Sequence, residues 1–160
     1  MSNQVFANQS KKYFPCPGLN AYNLATSITV APAVSANLEF VTPVIVQAAT
    51  IVSTTSGPLT FLEDGLYSIK VIVEVTPTAL IDVVEFEAKL TLTGGYAASG
   101  SVLDIVRIAN QTNKDYYVQT LSYTGYFNAA EFITARIINL GIESINCSSG
   151  VCKMFVCKLT

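Results

Sequence analysis

The chain contains no histidine in its 160 residues. Its absence removes the commonest general base at neutral pH, and with it every Ser-His or Cys-His nucleophile pair. Charge is scarce as well. Asp, Glu, Lys and Arg make up 12% of the residues, against about 25% in an ordinary soluble domain, while 51% are hydrophobic. The net charge is -2, and Lys11-Lys12 is the only adjacent basic pair. With no basic stripe to neutralise phosphates, a nucleic-acid partner is not expected.

Other absences narrow the field further. The uncharged stretch from Phe40 to Leu62 is broken by Pro43, Gln47, Ser53, Gly57 and Pro58 and has a strand-like pattern, so membrane insertion is not expected. Met1 to Asn23 has no apolar core of secretory type, because Ser2, Asn3, Gln4, Asn8, Gln9 and Ser10 are polar; export by that route is not expected. No C-x₂-C pair exists, so neither a zinc site nor any other cofactor is expected. Gly94-Gly95 lacks the Lys-Ser/Thr that follows a phosphate loop. Glu85 and Glu87 share one face of a strand, but with Lys70, Lys89 and Glu74 they read as a solvated charged face, not as an acid and nucleophile. An enzyme is not expected.

What is present is β-structure. Thr60 to Val75 alternates, with Tyr67, Ile69, Val71, Val73 and Val75 on one face and Ser68, Lys70 and Glu74 on the other; the period of two and the β-branched content define a strand with one buried face. Glu63-Asp64-Gly65 supplies the turn before it, with Gly65 free to take positive φ. Asp82 to Thr93 alternates in the same way. Tyr116 to Phe127 is apolar in both registers, with Tyr117, Leu121, Tyr123 and Phe127 in one and Tyr116, Val118 and Tyr126 in the other, so it is covered on both sides or faces a neighbouring subunit. Phe132 to Leu140 is a further strand, and Ile145 to Thr160 is predicted to be a terminal hairpin with Ser148-Ser149-Gly150 at its tip. The spacing of turns predicts an all-β chain folded as a single jelly-roll β-sandwich: two packed antiparallel sheets of eight to nine strands in residues 26–160, preceded by an extended N-terminal arm in residues 1–25.

The motif Phe61-Leu62-Glu63-Asp64-Gly65-Leu66-Tyr67 resembles the G-x-Y signature of the complement/tumour-necrosis-factor-like jelly rolls, which form trimers. The resemblance covers most of residues 26–160. It implies that Tyr67, the aromatic of the signature, lies near a trimer axis. The strand pattern extends that expectation to Tyr117, Tyr123 and Phe127 as oligomer-interface residues. The chain departs from complement-type relatives in having no collagen stalk, no export signal and no Phe-x-Gly element before the last strand.

Two local features complete the reading. The arm is expected to dock through Phe6, Tyr13 and Phe14, because Pro15 and Pro17 forbid a helix there. Cys147 and Cys152 flank a short tip, where they either form a disulfide or stay reduced as small apolar side chains. Too little charge to wet the whole exterior requires copies to cover one another. The expected function is therefore a non-enzymatic structural protein of a virus or phage particle, located in the virion. It would be a minor capsid, penton or spike-base subunit that forms a homotrimer or pentamer and touches other capsid proteins through its arm. The alternatives are the head of a fibre, binding a receptor or glycan through loops 96–101 and 110–115, and a cytokine-like signalling ligand.

Overall fold

A computed structural model of the chain describes residues 16, 18–48, 50–54, 58–93 and 101–160. Among these residues there is no helix. Thirteen strands follow in order: β1 (Leu19–Asn23), β2 (Ile28–Val30), β3 (Ser35–Leu38), β4 (Thr42–Val46), β5 (Val52–Ser53), β6 (Leu59–Phe61), β7 (Gly65–Pro77), β8 (Val84–Thr93), β9 (Ser101–Gln111), β10 (Tyr117–Phe127), β11 (Phe132–Asn139), β12 (Ile145–Cys147) and β13 (Lys153–Lys158). They form two antiparallel sheets packed face to face, the predicted jelly-roll sandwich. The front sheet holds β7 with β10 on one flank and β12 and β13 on the other, then β1, β2 and β4; the back sheet holds β11 and β8, with β9 beyond β8 and β3, β6 and β5 beyond β11.

Thirteen strands replace the expected eight or nine because several long strands are broken. β12 and β13 both pair antiparallel with β7, Cys147 opposite Val75 and Lys153 opposite Ile72. They are therefore one strand line interrupted at 148–152, and the predicted hairpin over 145–160 does not form. β1 and β2 break in step with them, β1 pairing with β13 and β2 with β12. Leu24 N–H donates to Cys152 O at 3.1 Å and Ser149 N–H donates to Ser27 Oγ at 3.0 Å, closing the two excursions against each other. Leu19–Asn23, expected to belong to the arm, instead lies inside the front sheet between β13 and β4.

The core follows from period-two patterning. On β7, Tyr67, Ile69, Val71, Val73 and Val75 are buried, and on β8 Val84, Phe86, Ala88 and Leu90 are buried while the intervening residues face outward. Phe61 stacks on Phe127 with ring centroids 4.2 Å apart, and Tyr67 meets Phe61 edge-on at 4.6 Å. Each such buried side chain contributes about 1.5–3 kcal/mol. The Tyr67 hydroxyl donates to Glu63 O at 2.8 Å, which leaves no polar penalty for its burial. Gly65 serves a purpose other than positive φ: a Cβ there would lie 2.6 Å from Thr160 O, so glycine lets residue 160 pass against the start of β7.

Candidate functional site

Tyr67, Tyr117 and Phe127 are buried within a single chain, at 0%, 3% and 0% exposure. They fill the sandwich and present nothing to a neighbour, which corrects their assignment to an oligomer interface. Tyr123 is half-buried, packed edge-on to Phe127 at 5.8 Å. Both registers of β10 are apolar, and the structure turns inward the one that holds Tyr117, Leu121, Tyr123 and Phe127. The other register faces out: Val118, Thr120, Ser122, Thr124 and Tyr126 form an exposed row on β10, with Val118 and Tyr126 among the exposed large hydrophobics. No member of that row is charged. Beside it on β7, Glu74 lies opposite Val118, Ile72 opposite Thr120 and Lys70 opposite Ser122.

The free edge of β10 is protected where it passes the back sheet. Ser122 N–H donates to Asp104 Oδ2 of β9 at 2.8 Å, a charge-assisted cap on an otherwise open strand edge.

At one end of the sandwich the loops are apolar. Ile81 and Ile142 are 78% and 80% exposed, and Val34, Leu80, Val83, Leu140 and Tyr116 join them. Their backbones are pinned: Asn113 N–H donates to Leu80 O at 3.0 Å, Thr112 Oγ1–H to Ile81 O at 3.1 Å, and Ala79 N–H to Asp82 Oδ2 at 2.8 Å. Buried Asn139 ties the turn after β11, donating to Val30 O and Glu143 O and accepting from Gly141 N–H. Hydrogen bonds thus fix the loop backbones that carry these exposed aliphatic side chains. Beside them a notch of about 630 Å³ is lined by Leu80, Ile108, Lys114, Tyr116 and Tyr117, and the Tyr117 hydroxyl has no hydrogen-bond partner among the described residues. Asn110 and Asn113 take positive φ in the turn that forms this wall, as asparagine tolerates. Loop 110–115 thus lies at this end, while 94–100 fall outside the described residues, as do Phe6, Tyr13 and Phe14. The sequence signal missed was Leu80-Ile81, an aliphatic pair in a turn instead of a strand.

Cys147 and Cys152 take the reduced one of their two alternatives, and a disulfide not expected from the sequence lies elsewhere. Cys16 is bonded to Cys157, with Cα atoms 5.8 Å apart, and Cys147 and Cys152 are buried free thiols. Cys152 Sγ is engaged with Glu74, accepting from its N–H and donating to its carbonyl at 3.4 Å each. The hydrogen bond to Cys152, together with burial, holds the Cys147 thiol above its ordinary range, so it is an unreactive core group. Cys157 lies out of register with buried Met154 and Val156, so it faces outward on the front sheet, and the bond fixes residue 16 there. The two carboxylates weighed as catalytic are ion-paired on the back sheet, Glu85 with Arg107 and Glu87 with Lys89.

No protein-family model matches the sequence, and no curated protein matches it. Solved structures are similar in fold. The chain resembles Eiger TNF from S. frugiperda at a TM-score of 0.62 and 10% identity, over 89% of this chain and 92% of that one. It resembles murine APRIL at pH 8.5 with a TM-score of 0.63 and 11% identity, over 88% and 99% of the two chains, and murine APRIL at pH 5.0 at 0.59 and 12%, over 84% and 98%. The protein is an all-β sandwich of the TNF-like jelly-roll type.

Proposed function

We propose that the protein is a non-enzymatic ligand domain that assembles as a homotrimer through the outer face of its front sheet. It presents the apolar loop end, with Ile81 and Ile142 at its tips, to a cell-surface partner. The observation that carries this reading is the uncharged, exposed row on β10, in a fold similar to Eiger TNF and APRIL. The Cys16–Cys157 bond supports it, because such links persist in oxidising surroundings outside the cell.

The second reading, a subunit of a virus or phage particle located in the virion, makes the same demand for self-association. One observation favours it: residue 16 is fastened to the outer side of the front sheet, where copies would meet. The similarities to a TNF and to APRIL weigh toward the ligand.

Mass in solution tests the shared premise, with a trimer expected. A monomer persisting at about 1 mM, where even contacts worth only about 4 kcal/mol would be half-formed, overturns both readings. Flow cytometry of labelled protein on cells separates them: the ligand reading expects saturable binding that falls with Ile81→Ser and Ile142→Ser.

A further inference from the structure

The outer face of the back sheet carries a cation pair that the fold itself does not need. In the β11–β8 register Arg136 stands directly opposite Lys89, two positive side chains on adjacent strands pointing the same way. Like charges in that position repel. Lys89 is relieved by Glu87 at 3.2 Å. Arg136 has no carboxylate partner among the described residues; its guanidinium donates to Ser35 Oγ at 2.6 Å.

The surroundings are suited to a ligand that is anionic and rich in hydroxyls. The rows on either side of the cation pair follow from the register. On one side Thr134 lies opposite Thr91, which is opposite Val102; on the other Ile138 lies between Ser35 and Glu87; Asn37 flanks Arg136 on β3. Together these residues line a trough of about 630 Å³. Guanidinium and ammonium are donors only, the threonine and serine hydroxyls and the asparagine amide both donate and accept, and Val102 and Ile138 offer small apolar walls. A carboxylate or sulfate would lie over Arg136 and Lys89 and quench their repulsion, while ring hydroxyls of the same molecule exchange hydrogen bonds with Thr91, Thr134 and Asn37.

We propose that this trough is a binding site for an acidic saccharide, with Arg136 as its principal anion contact. The site lies within one chain and does not depend on self-association, so its failure and the failure of the trimer are separately visible. The test is calorimetric titration of the full chain with sialyllactose, a heparin-derived tetrasaccharide, lactose and sodium sulfate. Binding by at least one acidic saccharide is expected, with lactose and sulfate ion at least about tenfold weaker; the two acidic probes distinguish a carboxylate from a sulfate as the recognised group. Arg136→Gln is expected to weaken binding about tenfold with an unchanged melting temperature, since one charge-assisted contact is lost from an exposed side chain. Arg107→Gln, outside the trough, leaves binding intact. The proposal is overturned if no probe binds at about 10 mM, if lactose or inorganic sulfate binds as well as the acidic saccharides, or if Arg136→Gln binds like the parent protein.

Discussion

The two outer faces of the sandwich are built from equally regular alternating strands, and they differ in how they meet water. On the back sheet the outward positions of β8 and β9 carry Glu85, Glu87, Lys89 and Arg107, paired across or along the strands so that the face is hydrated without a partner. On the front sheet the outward row of β10 has no charge at all and ends in exposed Tyr126. The row on β10 is thus an uncharged strip with Glu74 and Lys70 of β7 beside it. The composition alone could not place that strip.

Substitutions on the two faces and in the core between them test this contrast. The largest effect is expected where both faces share their support. Phe127→Ala removes the ring stacked on Phe61 and is expected to cost about 3–5 kcal/mol in chemical denaturation, with both sheets lost in one transition. Replacing Cys16 and Cys157 together by Ser should cost about 2–4 kcal/mol, since the link closes a loop with a separation of 141 residues; the back-sheet trough should keep its saccharide affinity. Tyr126→Glu on the front face should lower trimer stability by about 2 kcal/mol, the scale of an interface aromatic, and shift the mass toward monomer in light scattering. Thr134→Glu on the back face should leave the mass unchanged. If both substitutions dissociate the protein equally, the contrast between the faces is wrong.

Alkali acts through the shared core. Burial first, then the Glu63 and Asp64 charges, push the Tyr67 phenol from an ordinary value of 10.0 up to about 12. The folded state therefore holds its proton where the unfolded chain has lost it. The resulting stability is complete below about pH 10 and declines as the pH rises toward 12. Denaturation midpoints should fall over that window, and less steeply in Tyr67→Phe. The smallest effect is expected on the back face: Arg107→Gln, which breaks an exposed pair with Glu85, should change stability by less than about 1 kcal/mol.

Much of the sandwich could be read from the chain because β7, β8 and β11 alternate cleanly, and a period of two reports one buried face. Where both registers are apolar, as in β10, periodicity does not say which turns inward, and Tyr117 and Phe127, expected at an interface, are core residues. The break at 148–152 was hidden for a different reason. Whether Ser148-Ser149-Gly150 ends a hairpin or interrupts one strand depends on pairing with β7, some seventy residues away in sequence, a separation typified by the 78 residues between Glu74 and Cys152. The Cys16–Cys157 pair is less local still. The Arg136–Lys89 opposition likewise exists only once β11 and β8 are in register.

The order of strands along the chain has a consequence for synthesis. Every partner in the back sheet has been made once residue 139 has emerged, whereas one flank of β7 stays bare until residues 145–158 follow. On the ribosome the back sheet can therefore close first and the front sheet is completed after it, although β7 and β10 can already pair once residue 127 has emerged.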